Sequence, residues 1–282
     1  MATIAIRDAH VPEPPSTPDR AVVVFQHVSL SFDEKVVLRD VSFTLLPGHT
    51  KIILGASGSG KSTILKLILG LLKPDAGEIW VHGSRIDRMG EDQLMAIRRH
   101  LGMVFQEGAL FDSLTVAENV GYKLYEETNE PLEDVRQRVE QVLGFVRLGD
   151  QIDKRPSELS GGQRRRVAIA RAMAYKPPTL LYDEATTGLD PITATTIDEE
   201  MVKLRDVENV SSIIVTHQLR DAFFVATHEA VRHGDQIAIT PADQDKSDQA
   251  EFIMLRDGLI TFEGNAAELR ASTDPYIRSF LS

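Results

Sequence analysis

The stretch GASGSGKS, from Gly55 to Ser62, constrains the fold more than any other part of the sequence, because it fits G-x-x-x-x-G-K-[ST] at every fixed position. The apolar run KIILGA precedes it and the apolar-periodic STILKLILGLLK follows it, so the motif lies between a predicted strand and a predicted helix. Glycines there let backbone N–H groups curl around phosphate oxygens, and the helix N-terminus adds a favourable dipole. The sequence therefore predicts an α/β chain that binds phosphate where this helix begins.

Two side chains of this loop carry most of the chemistry. Lys61 can reach the β and γ phosphates of a nucleotide, and the Ser62 hydroxyl can hold Mg²⁺. A chance glycine-rich turn is the alternative, and the flanking strand and helix make it improbable. We expect ATP to be bound by Gly55, Ala56, Ser57, Gly58, Ser59, Gly60, Lys61, Ser62 and Thr63.

A second apolar strand, LLYDE, ends in two acidic residues. Asp183 stands where a P-loop protein holds its Mg²⁺, directly or through water, and Glu184 would face the water that attacks the γ phosphate. A strand ending in Asp-Glu is common by itself. Together with the P-loop it indicates a site for nucleotide hydrolysis.

The order of predicted elements indicates the architecture. AVVVFQHVSLSF and VVLRDVSFTLL read as an antiparallel pair, whereas TLLYDE and SSIIVTHQ alternate with a helix, as in a parallel sheet. We expect a P-loop NTPase with a mainly parallel core sheet, an antiparallel β subdomain and an inserted α-helical subdomain at about 115–175. One nucleotide-binding domain would span 21–282, preceded by a disordered, proline-rich tail at 1–20.

Composition narrows the functional class. Acidic residues outnumber basic ones by 42 to 31, a formal charge of −11, which gives no reason to expect nucleic acid as a partner. There is no cysteine, so disulfides and thiolate metal sites are excluded. ILKLILGLL is too short to span a bilayer. A cytoplasmic chain is expected, and any work on a membrane would pass through a partner.

A second glycine turn, LSGGQ at 159–163, has no lysine of its own. With the P-loop and the acidic pair, it resembles the ATP-binding cassette (ABC) proteins, in which LSGGQ is the signature at the start of a helix. The resemblance implies a head-to-tail homodimer, in which one chain caps the γ phosphate held by Lys61 of the partner subunit. The capping residues would be Ser160, Gly161, Gly162 and Gln163. A plain helix N-cap by Ser160 is the simpler alternative.

Other positions match the family motifs in order. By resemblance, Gln106 is the glutamine that contacts Mg²⁺ and the attacking water, and His217 holds the γ phosphate and orients water against Glu184. Asp190 lies in the D-loop at the dimer interface, and Phe32 stacks on adenine, although a core phenylalanine is the alternative.

Three features depart from those motifs or fall outside them. Ala185 and Thr187 replace a more usual proline and serine, and neither removes a ligand. The run Arg164 to Arg166 is expected to be a solvated helix face. Residues of about 229–249 look like a polar insertion that includes a polar loop, QDKSDQ, and a tolerated hairpin is favoured over a regulator contact.

A narrower resemblance rests on FQEGALFDSLTVAENVGYKL, LDPIT and DPYIRSFL. These stretches are similar to the ATPases of Mla-type lipid transporters, which implies an integral-membrane permease and an MCE-domain lipid-binding protein as partners, and a peripheral place on the cytoplasmic face of the membrane. Importers of other solutes share much of this pattern. A non-transport ABC ATPase is a further alternative. A P-loop kinase or GTPase is another, but LSGGQ and His217 would have no role in such a protein.

Overall fold

The computed structural model describes residues 21–106, 108–234 and 236–281. The expected disordered tail at 1–20 lies outside these ranges. Within them, no helix combines the length and apolarity needed to cross a bilayer.

The first layer is an antiparallel sheet of four strands with the spatial order β2-β1-β4-β5. Alternating apolar side chains of its two longest strands face the core, and Phe25 stacks on Phe43 with ring centroids 4.6 Å apart. The strands are β1 (Val23–Phe32), β2 (Lys35–Leu45), β4 (Ala76–Val81) and β5 (Ser84–Arg85).

The second layer is a six-stranded sheet with the order β12-β11-β3-β8-β7-β6. The pair β12-β11 is antiparallel, and the remaining four neighbouring pairs are parallel. The strands are β3 (Thr50–Leu54), β6 (Leu101–Val104), β7 (Thr179–Asp183), β8 (Ser211–Thr216), β11 (Ala250–Arg256) and β12 (Leu259–Gly264).

Helices cover both faces of this sheet, which is why β3 is buried along its whole length. Ile52 and Leu54 belong to one apolar cluster and Ile53 to another, as alternation along a strand requires. The helices are α1 (Lys61–Ile68), α2 (Glu91–Arg98), α3 (Val116–Glu127), α4 (Leu132–Phe145), α5 (Gly161–Met173), α6 (Pro191–Val207), α7 (Leu219–Thr227), α8 (Gln244–Ser247), α9 (Ala266–Ala271) and α10 (Pro275–Leu281). The α/β P-loop fold is as expected, and α3, α4 and α5 fall in the stretch predicted to be helical.

The arginine run on α5 differs from the expected solvated face. All three side chains are half-buried, and each donates a hydrogen bond to a backbone carbonyl: Arg164 to Leu159, Arg165 to Gln106 and Arg166 to Val146. Burial lowers the pKa of Arg166. The solvated-face interpretation was wrong because α5 lies between neighbouring segments whose carbonyls need donors, which a charge run in a sequence does not reveal.

The segment expected to be a polar insertion contains an antiparallel hairpin, β9 (His228–His233) with β10 (Gln236–Pro241), followed by α8 within the stretch read as a polar loop. The hairpin is anchored to α6 through Asp206, which accepts from the backbone N–H of Ala230 at 2.8 Å. Lys246 lies 2.8 Å from Asp206, and buried Arg205 donates to the carbonyl of His228 at 2.6 Å. These buried bonds fix the insertion to the main body of the protein.

Candidate active site

The candidate residues follow four neighbouring parallel strands at the edge where those strands end. The four strands lie in the spatial order β3-β8-β7-β6. Listed in that order, the groups at their ends are the P-loop, His217, the pair Asp183-Glu184 and Gln106. Ligands of open parallel sheets bind at this carboxyl edge. Parallel pairing therefore assembles a site from residues that are far apart in the sequence.

The P-loop wraps tightly from β3 into α1. Gly60 precedes the helix with φ 104°, a conformation that glycine adopts readily. A Cβ atom on Gly55 would lie 2.4 Å from the carbonyl oxygen of Leu255, so only glycine fits there. The Ser59 hydroxyl is buried and, within the part of the chain that the structure describes, has no hydrogen-bond partner.

Lys61 is buried against its own loop. Its Nζ donates to the carbonyls of Gly55 at 2.9 Å and Ala56 at 3.0 Å, and lies 3.9 Å from Oε1 of Glu184. Burial lowers the pKa of Lys61, and the nearby carboxylates Glu184 and Asp183 oppose that shift. A desolvated ammonium among backbone groups is well placed to receive phosphate oxygens.

Ser62 and Asp183 form a direct contact between the P-loop helix and β7. The Ser62 hydroxyl donates to Oδ1 of Asp183 at 2.8 Å. Burial raises the pKa of Asp183, and the hydrogen bond from Ser62 opposes that rise. No cluster of three or more His, Asp or Glu side chains in the described residues is arranged to hold a metal. One hydroxyl and one carboxylate suit Mg²⁺, which keeps several waters and takes phosphate oxygens as its remaining ligands.

Glu184 is the centre of a second set of contacts. Its Oε1 lies 3.2 Å from Nδ1 of His217, and its Oε2 accepts from Thr187 Oγ1 at 3.3 Å. Its backbone N–H donates to the carbonyl of Val215 at 2.9 Å, which ties the end of β7 to β8. The structure thus brings together Glu184, His217 and Lys61, as the sequence predicted.

Gln106 lies at the same edge, one strand further out, and is exposed. Its carbonyl accepts from Arg165 Nε at 2.8 Å. Arg171 donates to the carbonyls of Ala109 at 2.7 Å and Gly108 at 2.9 Å. Two arginines of α5 therefore hold the backbone that follows Gln106. Sequence analysis missed this contribution because helical spacing alone does not identify which carbonyls a helix faces.

Two other candidate residues begin helices or end strands. Asp190 caps α6, accepting from the backbone N–H groups of Ile192 and Thr193 at 3.1 Å each. Phe32 ends β1 and is 46% exposed, so its ring is not part of the core. An exposed aromatic ring at this tip has a face free for stacking.

The LSGGQ turn is at the start of α5, where Ser160 Oγ accepts from the backbone N–H of Gln163 at 3.2 Å and Gln163 Oε1 accepts from that of Ser160 at 2.8 Å. A Cβ on Gly162 would lie 2.3 Å from Thr193 Cγ2, so this turn packs closely on α6. Across the described ranges, no hydrogen bond or ion pair joins residues 160–163 to residues 55–63. Within one chain the two glycine turns are separate, and Ser160 and Gly161 are exposed.

Comparisons with known proteins agree with this geometry. A family model described as ABC transporter matches residues 38–187. The dimeric post-hydrolysis state of the ATP-binding cassette MJ0796, bound to ADP and Pi, superposes with a TM-score of 0.71 at 30% identity, covering 86% of this chain and 98% of that one.

Curated relatives differ in how much of each chain is matched. The intermembrane phospholipid transport system ATP-binding protein MlaF of Escherichia coli is 33% identical over 92% of this chain and 88% of its own length. Protein TRIGALACTOSYLDIACYLGLYCEROL 3 of Arabidopsis thaliana is 36% identical over 89% of this chain and 70% of its own. The methionine import ATP-binding protein MetN of Symbiobacterium thermophilum is 43% identical, over 66% of this chain and 56% of its own.

Proposed function

The chain belongs to the ABC transporter family as an ATPase subunit that hydrolyses ATP, and on this premise we propose that the transporter it serves moves a phospholipid. The support is the extent of the match to MlaF, which runs over 92% of this chain and 88% of that relative. The sulfate/thiosulfate import ATP-binding protein CysA of Gloeobacter violaceus is matched over the same share of this chain, 92%, at 34% identity but over only 74% of its own length, so the support lies in how much of MlaF's own length is matched.

Import of another solute is the second candidate function. The observation in its favour is the higher identity, 43%, to the methionine import protein, although that match covers only 66% of this chain. Nucleotide sites are alike throughout such a family, so identity concentrated there says little about cargo.

The proposed mechanism is in-line attack of water on the γ phosphate of ATP. Glu184 would accept the water proton or orient the water, and His217, 3.2 Å away, would hold both the carboxylate and the γ phosphate in place. Lys61 and the P-loop N–H groups would neutralise the charge that spreads over the phosphoryl oxygens as the bond to the β phosphate breaks.

Ser62 and Asp183 would hold Mg²⁺, with Gln106 as a further ligand. Bound there, the ion would neutralise charge on the β and γ phosphates. The hydrogen bond between Ser62 and Asp183 keeps both oxygens directed to one place.

Two copies of the chain would pair head to tail. The exposed Ser160 and Gly161 at the start of α5 offer a hydroxyl and backbone N–H groups to a phosphate held by the partner subunit. Motion of the pair would reach an integral-membrane permease through the segment after Gln106, and an MCE-domain lipid-binding protein would complete the assembly. The chain would then work at the cytoplasmic face of the membrane.

The experiment is a pull-down of tagged Glu184→Gln protein from native membranes in mild detergent, with mass spectrometry of co-purified proteins and lipids. We expect a multi-span permease, an MCE-domain protein and phospholipid. Recovery of a solute permease without bound lipid would instead support the import function. Recovery of soluble proteins alone would contradict both transport functions.

A further inference from the structure

A small cavity lies behind the turns that carry Glu184 and His217. Its volume is about 10 Å³, enough for roughly one water. Thr186, two residues after Glu184, and Thr216, directly before His217, line it. Asp198 of α6 and Asp221 of α7 line it as well.

Both aspartates are buried, with 1% of Asp198 and 4% of Asp221 exposed. The Oδ2 atom of each is inaccessible and, in the described part of the chain, has no hydrogen-bond partner. The nearby cation is Arg220, whose Nε donates to Oδ1 of Asp221 at 3.0 Å. Its Nη2 donates to the carbonyl of Pro191 at 3.1 Å, at the start of α6. The same guanidinium is near enough to Asp198 for its charge to favour the ionised carboxylate there.

Asp198 and Asp221 are not both ionised in this buried cavity, because each carboxylate would lose its hydration and repel the other. Burial raises the pKa of Asp198, the charge of Asp221 raises it further, and its final value is about 8 although Arg220 opposes the shift. The charge of the adjacent Glu199 also raises the pKa of Asp198, by a smaller amount. Near neutral pH the pair therefore carries one proton, which one carboxyl can donate to the other.

We propose that Asp198 and Asp221 share one proton in a carboxyl–carboxylate hydrogen bond, and that this bond joins α6 to α7 and positions Glu184 and His217 for hydrolysis. The two aspartates are positioning residues, since neither reaches the P-loop, and the proposal rests on the hydrolytic roles assigned above to Glu184 and His217. Loss of the proton would place a second charge in the cavity, push the helices apart and lengthen the 3.2 Å contact between Glu184 and His217.

The direction of the pH dependence follows from linkage. An aspartate that titrates near pH 4 when unfolded and at about 8 when folded binds an extra proton in the folded state between those values. Its stabilising contribution is fully present below about pH 4, falls as the pH rises through this window and levels off above about pH 8. Within the window the unfolding constant should rise by up to about tenfold per pH unit from this group alone.

The test compares wild type with Asp198→Asn, in which the amide keeps the shape and the hydrogen-bond donor of a protonated carboxyl and has no proton to lose. Urea unfolding of the full chain and the pH profile of kcat are measured from pH 6 to pH 9.5. Glu208→Gln, at the exposed C-terminal end of α6, is the matched control for removing one carboxylate from this helix.

In wild type, this group should raise the unfolding constant by up to about tenfold per pH unit below about pH 8, and in Asp198→Asn that rise should be absent. The alkaline limb of the pH profile of kcat should move upward by one pH unit or more in the variant. The affinity for ATP should stay constant, because the P-loop lies outside the cavity. Glu208→Gln should keep the wild-type profile. Equal slopes and equal alkaline limbs in wild type and Asp198→Asn would overturn the proposal.

Infrared difference spectroscopy of the wild-type chain decides the matter even where the variant fails to fold. A protonated carboxyl C=O band should be present at pH 7 and vanish by pH 9.5. If it is absent at pH 7, the shared proton does not exist. If the band and the unfolding slopes behave as expected but kcat does not follow them, the roles given to Glu184 and His217 fail instead, and with them the positioning step.

Discussion

Glu184 has a backbone conformation that is unusual for its residue type, with φ 49° in the left-handed region. Non-glycine residues pay roughly 1 to 2 kcal/mol for this conformation. The hydrogen bond from its N–H to Val215 and its side-chain contacts with His217 and Thr187 hold it there. The turn therefore directs the carboxylate back over the end of the sheet toward Lys61.

We expect Glu184→Gln to bind ATP as wild type does and to lose hydrolysis by about 100- to 10,000-fold, because the amide keeps the hydrogen bonds and loses the basic oxygen. Equilibrium nucleotide binding and phosphate release measure the two effects separately. Glu208→Gln, an exposed carboxylate at the end of α6, is the control and should leave both values unchanged. Full turnover by Glu184→Gln would remove this residue from the mechanism.

Single residues at strand ends could be predicted from the sequence, whereas partners on helices could not. Lys61, Glu184 and His217 each follow an apolar run, and parallel pairing then decides their neighbours. Asp198 and Asp221 lie on two helices with no motif around them, and their pairing depends on how α6 packs against α7. Sequence spacing contains no information on that packing.

At the scale of elements, α5 connects the LSGGQ turn to the segment after Gln106. Ser160 and Gln163 begin the helix, and further along it Arg165 and Arg171 donate to the carbonyls of residues 106, 108 and 109. Arg171 is half-buried, and burial lowers its pKa. A shift of α5 would therefore move both segments together.

We expect Arg171→Ala to destabilise the protein by about 1 to 3 kcal/mol, because the carbonyls of Gly108 and Ala109 lose their donors. Urea unfolding measures the loss, and hydrogen exchange should show faster opening of residues 106–112. The matched control is Arg136→Ala, since Arg136 pairs with Glu140 on the exposed surface of α4. Equal stability of the two variants would mean that Arg171 does not secure the loop.

Elements of the core were easier to predict than those of the insertion. The alternation of strands and helices in the sequence predicted the parallel sheet. The stretch QDKSDQ was predicted to be a loop, because a helix as short as α8 has too few residues for a periodic pattern. Asp243 caps it, accepting from the backbone N–H of Lys246 at 2.8 Å. Tertiary anchoring by Lys246 and Asp206, which the sequence does not reveal, completes the segment.

At the scale of the whole molecule, the proposed head-to-tail pair makes each site depend on two chains. Gly161→Asp tests this without harming the fold, because Gly161 is exposed, a Cβ there would lie at an ordinary 3.9 Å from Arg164 Nη2, and the residue begins α5, where a carboxylate is favourable. The same charge would repel a γ phosphate presented by the partner subunit. Lys61→Ala removes phosphate binding from the other half of the site.

Each variant alone should be inactive, whereas an equal mixture should recover hydrolysis. Random pairing makes mixed dimers in which one site has both halves intact, so up to about a quarter of the wild-type sites return. Phosphate release from mixed and unmixed samples measures the recovery, and mixing two batches of Gly161→Asp is the control. An inactive mixture with normal dimer formation would contradict the shared sites.

The position of β3 in the core sheet also has a consequence for synthesis. Its neighbours β8 and β11 begin at residues 211 and 250, whereas β3 ends at residue 54. At ribosomal rates of about 5 to 20 residues per second, roughly 10 to 40 s pass before both neighbours have been made. Until β8 emerges the apolar strand TKIIL has no partner on either side, it then still lacks β11, and contacts of such long range also form slowly. The nascent chain should therefore depend on chaperones until β8 and β11 have emerged, and it should acquire ATP binding only after that point.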